Sequence, residues 1–169
     1  MCIRDRASTV AQTSTVTVAS TCAGPAPTFA VKISGGSYNG QYLFSTPFSG
    51  QGVDLASAAT GISAASLYTL TGTVLTEHSG YTLATPAGTA FTYAEFRPAS
   101  QITSGGELPF VCTVVSGTLT CALGTVTQFG MCNISEPVLV LTRPGYYPSG
   151  YGCTNVVLDV VPVCTVAGV

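Results

Sequence analysis

Short apolar bursts closed by glycine recur along this chain about every ten residues, a rhythm that suits strands and turns and leaves little room for amphipathic helices. From Thr28 onward the bursts are Phe29–Ser34, Gln41–Ser45, Leu67–Leu70, Thr73–Thr76, Tyr81–Ala84 and Phe91–Phe96. They continue as Phe110–Val115, Thr118–Leu123, Val126–Met131, Pro137–Thr142 and Asn155–Val161. Valine, leucine, threonine and aromatic residues dominate them, as a pleated and half-buried surface favours. Only Val53–Ser66, rich in alanine, admits a short helix. Similar starts at Phe29, Leu67 and Phe110 recur about 40 residues apart, an internal echo. The expectation is an all-β fold: a β-trefoil-like barrel of about twelve short strands, with a β-sandwich as the alternative.

The chain ends differ in character from this region. Met1-Cys-Ile-Arg-Asp-Arg6 resembles translated adaptor sequence and is set apart from fold reasoning. Residues 7–27, a Ser/Thr/Val tract closed by Gly24-Pro-Ala-Pro27, read as a linker, with an edge strand as the other reading. Residues 28–164 then form one β domain, and 165–169 a tail.

Charged residues make up 7% of the chain, against about a quarter in an ordinary soluble domain. Beyond the first six residues the cations are Lys32, Arg97 and Arg143. Nucleic-acid binding requires clustered cations that displace counterions, so it is excluded as a function class. Long uncharged stretches such as Leu108–Ser135 are broken by Gly, Ser, Thr and Asn, and no apolar run reaches about 18 residues, so no membrane span is expected.

Apart from Cys2, six cysteines remain: Cys22, Cys112, Cys121, Cys132, Cys153 and Cys164. An even count at wide spacing reads as disulfides made in an oxidising compartment, hence a secreted protein. Zinc sites favour close pairs of ligands, and the chain holds one histidine, so no metal and no cofactor is expected. One pairing follows from geometry. A two-residue turn at Ser116-Gly117 sets Val115 opposite Thr118 and Cys112 opposite Cys121, a non-hydrogen-bonded pair with Cα atoms about 4.5 Å apart. The remaining pairs are assigned by position: Cys132 with Cys153 around a Tyr/Gly/Pro loop, and Cys22 with Cys164 around the domain. The triplet Asn133-Ile-Ser135 is a glycosylation sequon and fits the same compartment.

Two resemblances add to this reading. The stretch Leu67-Tyr-Thr-Leu-Thr-Gly-Thr-Val-Leu-Thr-Glu-His-Ser-Gly-Tyr-Thr-Leu83 resembles a ricin-type β-trefoil repeat, although the chain lacks the tryptophan of that family's Gln-x-Trp signature. Gly40-Gln-Tyr-Leu43, Gly117-Thr-Leu-Thr-Cys121, Thr127-Gln-Phe129 with Cys132, and Gly152-Cys-Thr-Asn-Val-Val-Leu158 resemble the β domain of filamentous-fungal secreted and cell-wall-associated proteins. The second resemblance covers residues 28–163 and implies a surface or matrix location.

Chemistry is sparse. His78 lies in a polar Thr-Glu-His-Ser-Gly turn, and no G-x-S-x-G elbow accompanies it, so no catalytic triad is expected. A glycosidase needs two facing carboxylates, and the candidates are Asp54, Glu77, Glu95, Glu107, Glu136 and Asp159. Glu95 and Arg97 share a strand face and suit an ion pair; Asp159, among valines, points outward or is buried and hydrogen-bonded. The loop from Arg143 to Gly152 stands out, because Tyr146, Tyr147 and Tyr151 offer aromatic faces with polar tips and Arg143 a polar anchor. Those tyrosines bind a glycan or merely cover core. The expected role is a non-catalytic structural or adhesive module of a secreted, wall-associated protein. The alternative is a lectin-like domain for cell-wall polysaccharide or another glycan, and no enzyme activity is expected.

Overall fold

The first sheet is a ring built from strands that are adjacent in sequence. In the computed structural model, which describes residues 28–48, 52–147 and 150–163, β1 (Phe29–Ser34), β2 (Tyr42–Phe48) and β3 (Val53–Ala59) run antiparallel side by side. β4 (Tyr68–Thr71), β5 (Val74–Glu77) and β6 (Thr82–Pro86) follow as a meander. The chain then passes through β7 (Phe91–Tyr93) to β8 (Glu95–Arg97), which fits between β3 and β6. The residue pair Phe29↔Tyr68 joins β1 to β4 and closes a seven-stranded barrel of β1, β2, β3, β8, β6, β5 and β4.

The later strands build outward from this barrel. After helix α1 (Ala99–Ser104) comes β9 (Glu107–Pro109), paired with β6. β10 (Val111–Val115) and β11 (Thr118–Ala122) form a hairpin, and β15 (Val157–Pro162) ties it to β1 over the whole length of that strand. A second sheet holds β14 (Thr154–Asn155), β12 (Gln128–Asn133), β13 (Pro137–Thr142) and β7, in that order. Ala94 links the two sheets. Its N–H donates to Leu139 O at 2.8 Å, and its carbonyl accepts from Ala56 N at 3.1 Å.

Period-two alternation explains the burial. Phe129, Met131, Leu139 and Leu141 point from the second sheet into the core, where Val31, Ile33, Tyr68, Phe96 and Leu158 meet them. Their alternates Cys132, Val138 and Val140 point the other way, under Leu55, Phe91, Tyr93, Tyr147 and Tyr151. β13 is therefore buried on both faces, which its unbroken Val-Leu-Val-Leu run anticipates.

Both assigned disulfides within the described residues form: Cys112–Cys121 and Cys132–Cys153, each with Cα atoms 4.0 Å apart. The hairpin register is the expected one, with Cys112 opposite Cys121 and Val115 opposite Thr118. Cys22, Cys164 and the segments 1–6, 7–27 and 165–169 lie outside the described residues.

Two expectations need correction. Fifteen strands among the described residues replace the expected twelve, and the three echo units are not equivalent in the pairing. β1 and β4 are neighbours in the ring, whereas β10 lies at the far end of the extension. Val53–Ser66 begins as a strand, followed by a 3-10 turn over Ile62–Ala64. Pairing with β2 from Tyr42↔Ala59 to Phe48↔Val53 buries Val53 and Ala56, and that tertiary contact outweighs alanine's weak helical preference. The helix falls instead at Ala99–Ser104, between Pro98 and Gly105-Gly106, a stop-and-start signal legible in the sequence.

Candidate functional site

The loop after β13 is pinned residue by residue. Arg143 N donates to Ala90 O at 3.2 Å, and Tyr146 N donates to Arg143 O at 3.1 Å around the Pro144-Gly145 corner. Gly145 N reaches Gln128 Oε1 at 3.2 Å, and the buried Thr142 hydroxyl donates to the Tyr146 carbonyl. This holds Tyr146 outward with the Arg143 guanidinium 4.7 Å from its ring centroid, a cation–π contact at the surface. At the loop's other end, the Cys132–Cys153 bridge and the bond from Asn133 N to Tyr151 O (3.1 Å) fix Tyr151 against the second sheet.

Tyr151 meets the outer face of β7. Its ring lies 6.1 Å from that of Phe91 at 11°, and Phe91 lies 6.1 Å from Tyr93 at 73°. The three rings form a continuous aromatic strip. With Tyr146, Thr89 and Thr92 they line an open cleft of about 520 Å³. Burial raises the Tyr93 phenol above its ordinary range, with Tyr151 and Glu95 adding to the shift. The phenol is thus neutral at physiological pH and both donates and accepts hydrogen bonds.

The structure divides the four residues singled out in the loop. Tyr146 and Tyr151 line the cleft, and Arg143 lies over the Tyr146 ring. Tyr147 turns inward: its ring packs on Gly130, and its hydroxyl donates to Asn155 Oδ1 and to Phe129 O (3.4 Å). Burial raises its pKa as well. Tyr147 and Tyr151 are both half-buried against the second sheet, whereas Tyr146 is exposed. Phe91 and Tyr93 were missed as site residues, although Phe91-Thr-Tyr93 alternation already sets two aromatic rings on one strand face. Asn133 is exposed at the end of β12.

The carboxylates fall into separate groups. Glu95 and Glu107 both pair with the Arg97 guanidinium, which also donates to Gln101 Oε1 at 3.1 Å. Asp159 is half-buried and accepts a hydrogen bond from the Ser34 hydroxyl. Asp54 and Glu77 come together across the barrel end. Glu77 is 2% exposed, accepts from the Ser79 hydroxyl and has no donor for Oε2. Asp54 is pushed up to about 6, first by burial, then by its hydrogen bond with Glu77 and repulsion from it, with His78 opposing. His78 is exposed in its turn. Among the described residues no group of three or more His, Cys, Asp or Glu side chains is arranged to hold a metal ion, and no helix is long and apolar enough to cross a membrane.

No protein family, curated protein or solved structure matches this chain.

Proposed function

We propose that this chain is a non-catalytic adhesive module that binds glycans, carried on a secreted or cell-wall-associated protein. The observation that supports the reading is the aromatic cleft, which Tyr146 and Tyr151 line together with Phe91 and Tyr93, with Arg143 over the Tyr146 ring. Such rings offer flat apolar faces to the C–H faces of sugars, while the phenol hydroxyls serve the sugar hydroxyls. Two disulfides are compatible with an extracellular location, and a sugar on the exposed Asn133 sequon agrees with it.

A glycan array tests the reading. Saturable binding is expected, lost in Tyr151→Ala and weakened in Tyr146→Ala, while Tyr147→Phe binds as well as the parent chain. The inward packing of Tyr147 supports a second reading, a purely structural module whose loop aromatics cover core. A blank array from a folded, disulfide-bonded protein would select that one.

A further inference from the structure

The aromatic cleft does not end at Tyr93. A second cleft of about 530 Å³ shares Tyr93 as a wall. Leu55 and Val138, packed in the same apolar cluster as Phe91 and Tyr151, line it too. Its rim carries Phe48 and Ile134, large apolar side chains left 40% and 42% exposed. Monomeric proteins keep such groups dispersed, and here they extend one aromatic track.

Charge along the track narrows the ligand. Glu136 lines the second cleft, and the Arg143 guanidinium lies 4.7 Å from the ring of Tyr146, which lines the first. Glu95, the charge that bears on Tyr93, is already paired with Arg97. The two clefts therefore have one carboxylate in their lining and one guanidinium over Tyr146, which leave no net charge. The lining also holds hydroxyls that are not buried, including Thr46, Ser135 and the Tyr93 phenol, groups that both donate and accept. A ligand made of hydroxyls matches that supply. A polyproline peptide, the other occupant of aromatic grooves, offers chiefly carbonyl acceptors.

We propose that the ligand is an extended, neutral polysaccharide that spans both clefts and crosses Tyr93 between them. This rests on the glycan-binding reading and adds ligand length and charge to it. Calorimetric titration of the disulfide-bonded protein with disaccharides and hexasaccharides of β-1,3-linked glucose, β-1,4-linked glucose and α-1,6-linked mannose provides the test. One hexasaccharide is expected to bind at least about tenfold tighter than its disaccharide, because only the longer chain covers the second cleft. Phe48→Ala with Ile134→Ala should erase that gain and leave disaccharide binding intact. Both side chains are exposed, so the fold tolerates the change, and Ile134→Ala preserves the sequon. Equal affinities, or a gain that survives the double substitution, would overturn the spanning ligand and leave glycan binding standing. Binding confined to sulfated or uronic-acid chains would overturn its neutrality. Binding of a polyproline peptide with no response to any sugar would overturn both readings.

Discussion

Gly130 sits mid-strand in β12, where a bare backbone normally weakens a sheet. The Tyr147 ring occupies the missing side chain's place: a Cβ there would lie 2.7 Å from Tyr147 Cε1. The glycine thus permits the loop to dock, and Tyr147 in turn shields the second sheet's outer face. Gly130→Ala is expected to destabilise the protein by about 1–3 kcal/mol through overpacking, read as a lower denaturant midpoint. Tyr147→Phe keeps the ring but loses the hydroxyl's bonds to Asn155 and Phe129, an expected cost of about 1 kcal/mol. If Gly130→Ala left stability unchanged, Tyr147 would have to be loosely held. The sequence showed three tyrosines in one loop and no means of telling them apart. What separates Tyr147 from Tyr146 is a glycine some seventeen residues upstream in the chain, visible only once β12 and the loop are side by side.

Among the elements, the β10–β11 hairpin was the most legible, because turn, register and disulfide all follow from local chemistry. Ser116 and Gly117 have φ of 51° and 83°, the left-handed pair that a type I′ turn requires. Gly117→Ala should cost about 1–2 kcal/mol, and Ser116→Asn should be neutral or stabilising, as chemical denaturation would show. The remaining elements depended on distant partners. Phe91–Phe96 reads as one strand, yet it breaks at Ala94 because β7 pairs with β13 and β8 with β3. β9, three residues of Glu-Leu-Pro, carries no strand pattern and exists because β6 offers it an edge. The two disulfides separate stability from function. Removing Cys132–Cys153, which closes 21 residues, should cost about 3 kcal/mol in the chain-entropy model. It should also weaken glycan binding, since that bridge fixes Tyr151. Removing Cys112–Cys121 should cost a similar amount and leave binding unchanged, because no cleft residue comes from that hairpin. Equal loss of binding in both variants would show that the cleft responds to global stability alone.

For the molecule as a whole, scarcity of charge makes each ionisable group count. Its barrel-and-sheet core is almost entirely aliphatic, aromatic and threonine, and the composition announced that much. Which charges would be drawn inward was not legible, since Asp54 and Glu77 lie on strands that only the closed ring brings together. The raised pKa of Asp54 fixes the sign of the pH response. In the unfolded chain Asp54 releases its proton near 3.8; in the folded barrel it keeps it up to about 6. Between those values the folded state binds more protons, so the unfolding free energy falls as pH rises. The stabilisation is fully present below 3.8 and is lost as pH passes about 6. Glu107, raised by burial despite its Arg97 partner, contributes with the same sign. Melting curves should therefore show a higher Tm near about pH 4 than near about pH 7, the reverse of proteins that rely on ionised carboxylates. Asp54→Asn, which keeps a hydrogen bond to Glu77 but cannot ionise, should flatten most of that slope. A Tm that climbs with pH, or a slope untouched by Asp54→Asn, would mean that burial and the neighbouring Glu77 do not hold the Asp54 carboxyl above its ordinary range.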